Sequence, residues 1–409
     1  MRNNLPENSC SRFPGYLIIL AMFCLSFLFA CNHSRGQDDI QTGAERTNIY
    51  VPMLQGKRLG IVANQTSVIG SKHLVDSMIS LDSGMFMIEK VFCPEHGFRG
   101  EAEAGLIIED EVDVRTGLPV VSLYGKNRKP PASSLQDLDV MVFDIQDVGV
   151  RFYTYISTLF YVMQACAENG KKLILFDRPN PNGFYIDGPV LDTTFRSFVG
   201  MHEVPVVYGM TIGEYAQMIN GEGWLGIGLV CELEVIPCLN YDHSMQYLLP
   251  VSPSPNLPNM NAVYLYPSTC FFEGTVMSEG RGTEFPFEVF GHPLLENANF
   301  TFVPKSIPGK SANPKWKGET CKGMDLRYLR NSTSRDRQIN LGWLLFAYEN
   351  FPVKEEFFIP YFEKLAGTVS LRQQITDGWT ADEIRASWSD DLAAFRNIRK
   401  KYLLYPDFE

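Results

Sequence analysis

The stretch Val91–Glu101 reads Val-Phe-Cys-Pro-Glu-His-Gly-Phe-Arg-Gly-Glu. Two carboxylates, one imidazole and one guanidinium fall within the seven residues from Glu95 to Glu101. A short apolar strand ends at Cys93, Pro94 stops its ladder, and Gly97 and Gly100 loosen the turn that follows. The plain alternative is a turn whose Glu caps a helix and whose His is solvated. Ionisable groups crowded at a strand-to-loop corner are more typical of a site that a rigid scaffold presents. Two further stretches carry similar chemistry. Asp144–Tyr155 ends a strand in Asp147 and Arg151 and continues into aromatics. In Met277–Glu284, Glu279 and Arg281 alternate with glycines that would let backbone approach a bound sugar or phosphate.

Several chemistries lack their residues. There is no Gly-x-Ser-x-Gly elbow, no His-Glu-x-x-His helix, no Walker loop and no Gly-x-Gly-x-x-Gly after the first strand. The chain has six histidines, and none of its nine cysteines forms a Cys-x-x-Cys pair. Neither a metal nor a nucleotide cofactor is expected. What remains is a cleft rich in carboxylates and aromatics. That suits glycosidic bond chemistry, in which one acid protonates the leaving oxygen and a second carboxylate supports the sugar cation or a water.

The elements that must position these groups alternate regularly. Apolar strands are expected at Leu59–Ala63, Ile88–Cys93, Pro119–Leu123, Val140–Ile145, Leu173–Phe176 and Cys231–Ile236. Helices are expected at His73–Ile79, Thr154–Glu168 and Ile212–Ile219, the last capped by Thr211. Short, continuously apolar strands between helices indicate a parallel sheet covered on both faces. Nearly every polar cluster follows a strand directly, and open α/β sheets bind ligands beyond the carboxyl ends of their strands. Asn64, Glu95, His96, Tyr124, Asp147, Arg151, Asp177 and Arg178 should therefore converge on one sheet edge.

Past the proline-dense Pro250–Asn261, an extended linker or an ordered irregular loop, the alternation breaks. Helical stretches follow at Leu341–Asn350, Phe357–Ala366 and Leu392–Lys400, with a capping box at Thr380–Glu383. The fold class is thus α/β: a Rossmann-like parallel sheet domain over 51–255 and a smaller α+β domain over 256–409.

The formal charge of −11 gives no general basic face for nucleic acid, and the basic residues of Lys310–Lys322 are scattered among Pro, Gly and Trp. At the amino end, Arg2 and Arg12 precede the apolar run Tyr16–Ala30, which is too short for a membrane span of about 20 residues and right for a signal-peptide core. It ends Leu28-Phe29-Ala30-Cys31, similar to a bacterial lipoprotein cleavage box. Residues 1–30 are read as a signal peptide, Cys31 as the lipidated amino terminus, and 31–50 as a tether. The expected location is a membrane-anchored lipoprotein of the cell envelope.

Six blocks occur in order: Gly-Ile-Val-Ala-Asn-Gln-Thr (60–66), Pro-Glu-His-Gly-Phe-Arg-Gly (94–100), Leu-Tyr-Gly (123–125), Asp-Ile-Gln-Asp-Val-Gly-Val-Arg-Phe-Tyr-Thr-Tyr (144–155), Asp-Arg-Pro-Asn-Pro (177–181) and Glu-Gly-Arg-Gly-Thr (279–283). Together they resemble the exo-β-N-acetylmuramidase NamZ family of bacterial peptidoglycan hydrolases, across nearly all of residues 55–409. The resemblance implies a Rossmann-like domain, a smaller second domain with the site at their junction, and release of terminal N-acetylmuramic acid from the non-reducing end of cell-wall glycans. On that reading Glu95 is the general acid, and Asp147 or Glu279 is the second carboxylate. Arg99, Arg151, Arg178 and Arg281 are candidates for the lactyl carboxylate, because a guanidinium fork matches a carboxylate. Asn64, His96, Tyr124, Tyr153, Asp177 and Asn180 complete the glycan-binding set. A deacetylase or esterase on the same glycan, and a non-catalytic muropeptide-binding lipoprotein, are the alternatives.

Overall fold

Strand β1 (Arg58–Ala63) lies at the centre of a seven-stranded sheet, and all of its residues after Arg58 are buried. The structure is a computed structural model; it describes residues 40–82, 84–95, 97–100, 110–125, 127–329 and 336–409. After the small hairpin β2 (Val68–Ile69) and β3 (Lys72–His73) come β4 (Met87–Cys93), β5 (Glu111–Val112), β6 (Pro119–Ser122), β7 (Val140–Asp144), β8 (Lys172–Phe176) and β9 (Leu233–Ile236). The order across the sheet is β5-β6-β4-β1-β7-β8-β9. All pairs are parallel except β5 with β6, and Ile61 stands in register with Val91 on one side and Val142 on the other.

The continuous apolar runs are explained by this arrangement. Alternate side chains feed two separate cores. Val62, Phe92, Met141, Phe143, Leu173 and Leu175 face one, while Leu59, Ile61, Val91, Val142, Ile174 and Phe176 face the other. Helices α1 (Leu74–Leu81), α2 (Tyr155–Glu168) and α3 (Ile212–Gly221) lie between strands in sequence. Thr211 caps α3 in a reciprocal box with Glu214, which satisfies backbone donors at the helix start.

Disregarding the antiparallel edge strand, the parallel strands run third-second-first-fourth-fifth-sixth, the doubly wound order. The connections diverge between β1 and β7, and a crevice opens there beyond the strand ends. Asn64 leaves β1 at this point, and Gln146 and Asp147 leave β7.

The proline-dense segment is an ordered loop rather than a linker. The Pro253 carbonyl accepts from the Tyr153 hydroxyl at 2.7 Å and from Gln65 Nε2 at 3.1 Å, which ties it to the sheet edge. Helix α4 (Met260–Thr269) follows, capped by the Asn259 side chain. Next come the antiparallel strands β10 (Val289–His292), β11 (Phe300–Phe302) and β12 (Cys321–Asp325), in the order β10-β12-β11. The chain then runs through α5 (Gly342–Glu349), α6 (Phe362–Ala366), α7 (Ser370–Thr376), α8 (Ala381–Ala386) and α9 (Ser389–Arg399). Thr380 opens α8 with the expected capping box. Helix α6 is shorter than its apolar pattern suggests, because residues 357–359 instead pair with 274–276: the Val276 amide donates to the Phe357 carbonyl and the Ile359 amide to the Gly274 carbonyl. The carboxyl end returns to the first half: Arg399 donates to the Gly209 carbonyl, and the Tyr405 hydroxyl to Asp177 at 2.5 Å. Residues Ile40–Glu409 form one compact unit. Among the described residues no helix is long and apolar enough to cross a membrane.

Candidate active site

Glu95 stands at the carboxyl end of β4, one residue past Pro94, in a turn closed by the Gly97 amide donating to the Pro94 carbonyl. It is half-buried at the wall of a cleft of about 360 Å³. The Thr154 hydroxyl donates to its Oε2 at 3.4 Å, and Tyr124, at the end of β6, hydrogen-bonds to it as well. Burial, together with this neighbouring carboxylate, holds the Tyr124 phenol well above its ordinary range, so its proton stays on the oxygen. These three side chains follow β4, β6 and β7, all parallel strands of the one sheet, which fixes where their corners lie.

The floor is aromatic. Tyr153 and Tyr155 meet edge to face at 4.8 Å, and Tyr153 lies 6.0 Å from Tyr266, a residue of α4. Tyr266 in turn packs against Phe152 at 5.3 Å and Phe287 at 4.9 Å. The second half of the chain adds Glu273, Arg281, Tyr361 and Lys364 to the lining. Arg281 grips Glu273 through Nη2 at 2.6 Å and Nε at 3.2 Å, and its Nε is 3.3 Å from Glu279. Its guanidinium also lies over the Phe287 ring at 5.1 Å. Gly280 and Gly282 both have φ near 80°, and a Cβ on either would come within 2.8 Å of neighbouring protein atoms. These glycines admit the chain's own Phe285, Pro314 and Lys305 at close range.

Of the residues singled out from sequence, the cleft gathers Glu95, Tyr124, Tyr153 and Arg281. His96 and Cys31 lie outside the described residues. The others are built into the scaffold. Asn64 is buried, with its Oδ1 accepting from the Thr66 amide and hydroxyl. Arg99 is held by Asp76 at 3.2 Å and Asp113 at 2.8 Å and lies over Phe98. Arg151 is fully buried and donates to the carbonyls of Pro189, Val204, Leu365 and Ala366, which staples the two halves of the chain together. Arg178 makes a bidentate pair with Asp144 at 2.6 and 2.8 Å, both side chains being almost wholly buried. Asp177 accepts from Thr211, the Gly213 amide and Tyr405, and Asn180 holds the Met210 carbonyl and the Asn182 amide.

Neither carboxylate expected to accompany Glu95 lines the cleft. Asp147 is buried, accepts from the Gly149 amide at 2.7 Å and from the Tyr208 hydroxyl, and burial pushes its pKa up to about 6. Glu279 is buried between Arg281 and Lys315. The second acidic side chain of the cleft is Glu273. Its sequence signal was slight: one carboxylate between Phe272 and Gly274, ahead of the more conspicuous Glu279–Glu284 run. Arg128, Tyr266, Tyr361 and Lys364 carried no motif at all. Among the described residues, no group of three or more His, Cys, Asp or Glu side chains is arranged to hold a metal.

Two family models, the amino-terminal and carboxyl-terminal parts of exo-beta-N-acetylmuramidase NamZ, match residues 59–261 and 264–405. A curated relative, peptidoglycan beta-N-acetylmuramidase NamZ of Bacillus subtilis, is 37% identical over 392 residues, covering 91% of this chain and 93% of its own length. Two crystal structures of DUF1343 family proteins from Bacteroides fragilis share the fold. One is 46% identical with a TM-score of 0.84, the other 30% identical with a TM-score of 0.75, and each comparison covers 90% of this chain and 99% of the other.

Proposed function

We propose that this chain, which belongs to the exo-β-N-acetylmuramidase NamZ family, is an exo-acting glycoside hydrolase that releases terminal N-acetylmuramic acid from the non-reducing end of peptidoglycan fragments. The observation that carries this reading is the cleft itself, whose lining joins Glu95 from the first half of the chain, Glu273 from the second, and the aromatics Tyr153, Tyr155 and Tyr266. Glu95, positioned by β4 and contacted by Thr154 and Tyr124, donates a proton to the leaving oxygen. Glu273 takes the place expected for Asp147 or Glu279. Arg281 is its counter-ion and fixes its orientation, which suits a carboxylate that stabilises the developing sugar cation or orients a water. Tyr153 and Tyr266, which line the cleft, supply apolar surface for the pyranose ring.

Product analysis on the disaccharide N-acetylmuramyl-β-1,4-N-acetylglucosamine tests this. Hydrolysis yields the two monosaccharides. Release of acetate with the disaccharide left joined would mean a deacetylase, and binding without any product would mean an inert cleft.

A membrane-anchored location in the cell envelope belongs to the same proposal. It is supported by the basic start, the apolar run Tyr16–Ala30 and Cys31 directly after it. Cys31→Ser should block processing or move the protein out of the membrane fraction; a variant that migrates and fractionates like the parent would refute the anchor.

A further inference from the structure

The cleft is lined by three cations, Arg128, Arg281 and Lys364, against two carboxylates, Glu95 and Glu273, in a chain whose formal charge is −11. An acidic protein that keeps a positive surplus in one cleft is arranged for an anionic ligand. The three cations are not equivalent. Arg281 is bracketed by Glu273 at 2.6 Å and Glu279 at 3.3 Å, so it has little net charge to offer. Arg128 and Lys364 have no carboxylate in an ion pair among the described residues, although the charges beside them in sequence do. Lys129 pairs with Glu168, and Glu363 with Arg372. Arg128 is instead steadied by lying over the Phe198 ring at 4.3 Å, and Phe198 is itself part of the cleft lining. One cation comes from the first half of the chain and the other from α6 in the second, so they face the cleft from both sides of the junction.

We infer that Arg128 and Lys364, rather than Arg281, read the negative charge of the substrate, and that the group they take is the carboxylate of the lactyl ether on the terminal sugar. This rests on the glycosidase reading of the cleft. A guanidinium fork and an ammonium approaching one carboxylate supply two charge-assisted contacts. Both side chains are exposed on the rim before the ligand arrives, so they lose little by waiting unpaired, and their attraction acts at a distance that salt shortens. A terminal N-acetylglucosamine, which differs by lacking the lactyl group, leaves both cations without a partner and should be the poorer substrate.

The test compares the disaccharide bearing the free lactyl acid with its neutral lactyl methylamide. Arg128→Gln and Lys364→Gln should each lower the kcat/KM preference for the acid by about tenfold, chiefly through KM. Lys364→Arg should restore most of it. Added salt should erode the preference in the parent and much less in the double variant. An unchanged preference in both variants, or equal fractional losses on acid and methylamide, would overturn the inference and leave these residues a structural role. Calorimetric binding of N-acetylmuramic acid and of its methylamide to the same proteins forms a separate arm. If no glycan is hydrolysed, the glycosidase reading falls, while charge-dependent binding lost in the variants would still support Arg128 and Lys364.

Discussion

Replacing Asp147 by an asparagine distinguishes a buried strut from a reacting group. Asp147 is 3% exposed; one oxygen accepts from the Gly149 amide and the Tyr208 hydroxyl, while the other is buried without a hydrogen bond. Burial raises its pKa from 3.8 to about 6, only partly offset by those two donors and the Val148 amide. The folded protein therefore holds this proton more tightly than the unfolded chain does. Stability from the group is fully present below about pH 4, its unfolded range, and is lost as pH rises through about 6. The full shift of about two units corresponds to about 3 kcal/mol, of which about 2 kcal/mol falls between about pH 4.5 and about pH 7.5. The carboxamide of the Asp147→Asn variant does not titrate. The parent should therefore lose about 2 kcal/mol relative to that variant across the interval, whatever constant offset separates them. Urea unfolding of both proteins at the two pH values measures this. A difference that stays constant, or one that moves in the parent's favour with rising pH, would mean that Asp147 is not held protonated by burial. Its place would then have to be reconsidered, including as a carboxylate in the reaction.

Two further outcomes follow from buried or paired charges. Asp144→Asn removes the counter-ion of a wholly buried guanidinium and should cost about 3–5 kcal/mol in urea unfolding, with much of the loss recovered by the apolar pair Asp144→Leu with Arg178→Met. A single-variant cost under about 1 kcal/mol would show that this pair does not hold the crevice loops. Glu273→Gln should lower kcat on the natural disaccharide by roughly 10²–10⁴ with little change in unfolding midpoint. Near-parent turnover would leave the reaction without its second carboxylate in this cleft.

Much of the fold is visible in the sequence because two strong constraints act locally. Strands sandwiched between helices must be apolar on both faces, so 59–63, 140–144 and 173–176 stand out as unbroken runs, and each ends in polar residues at the crevice. Helix α4 was hidden for a local reason as well: Pro267 reads as a breaker, yet it sits in the last turn of a helix so buried that packing outweighs the lost backbone hydrogen bond. The site was legible only on one side. Glu95 and Tyr124 follow from the rule that ligands gather beyond strand ends, and Tyr153 from the family resemblance. The same rule over-predicted, because a switch point is also where several loops cross. Charges such as Arg151, Asp177 and Arg178 are spent there on satisfying buried carbonyls, amides and each other. Glu273, Tyr361 and Lys364 come from a segment with no strand periodicity to place it. Only tertiary packing brings them to the cleft that Glu95 lines.

The proton donor is the centre of the account, and one comparison tests it most directly. Glu95→Gln keeps the shape of the side chain and removes the acid. It should cut kcat for N-acetylmuramyl-β-1,4-N-acetylglucosamine by roughly 10²–10⁴, while bond breaking in the nitrophenyl β-glycoside of N-acetylmuramic acid, whose leaving group needs little protonation, is largely spared. Equal losses on both substrates would make Glu95 a nucleophile, base or binding group, and near-parent turnover of the disaccharide would remove it from the reaction.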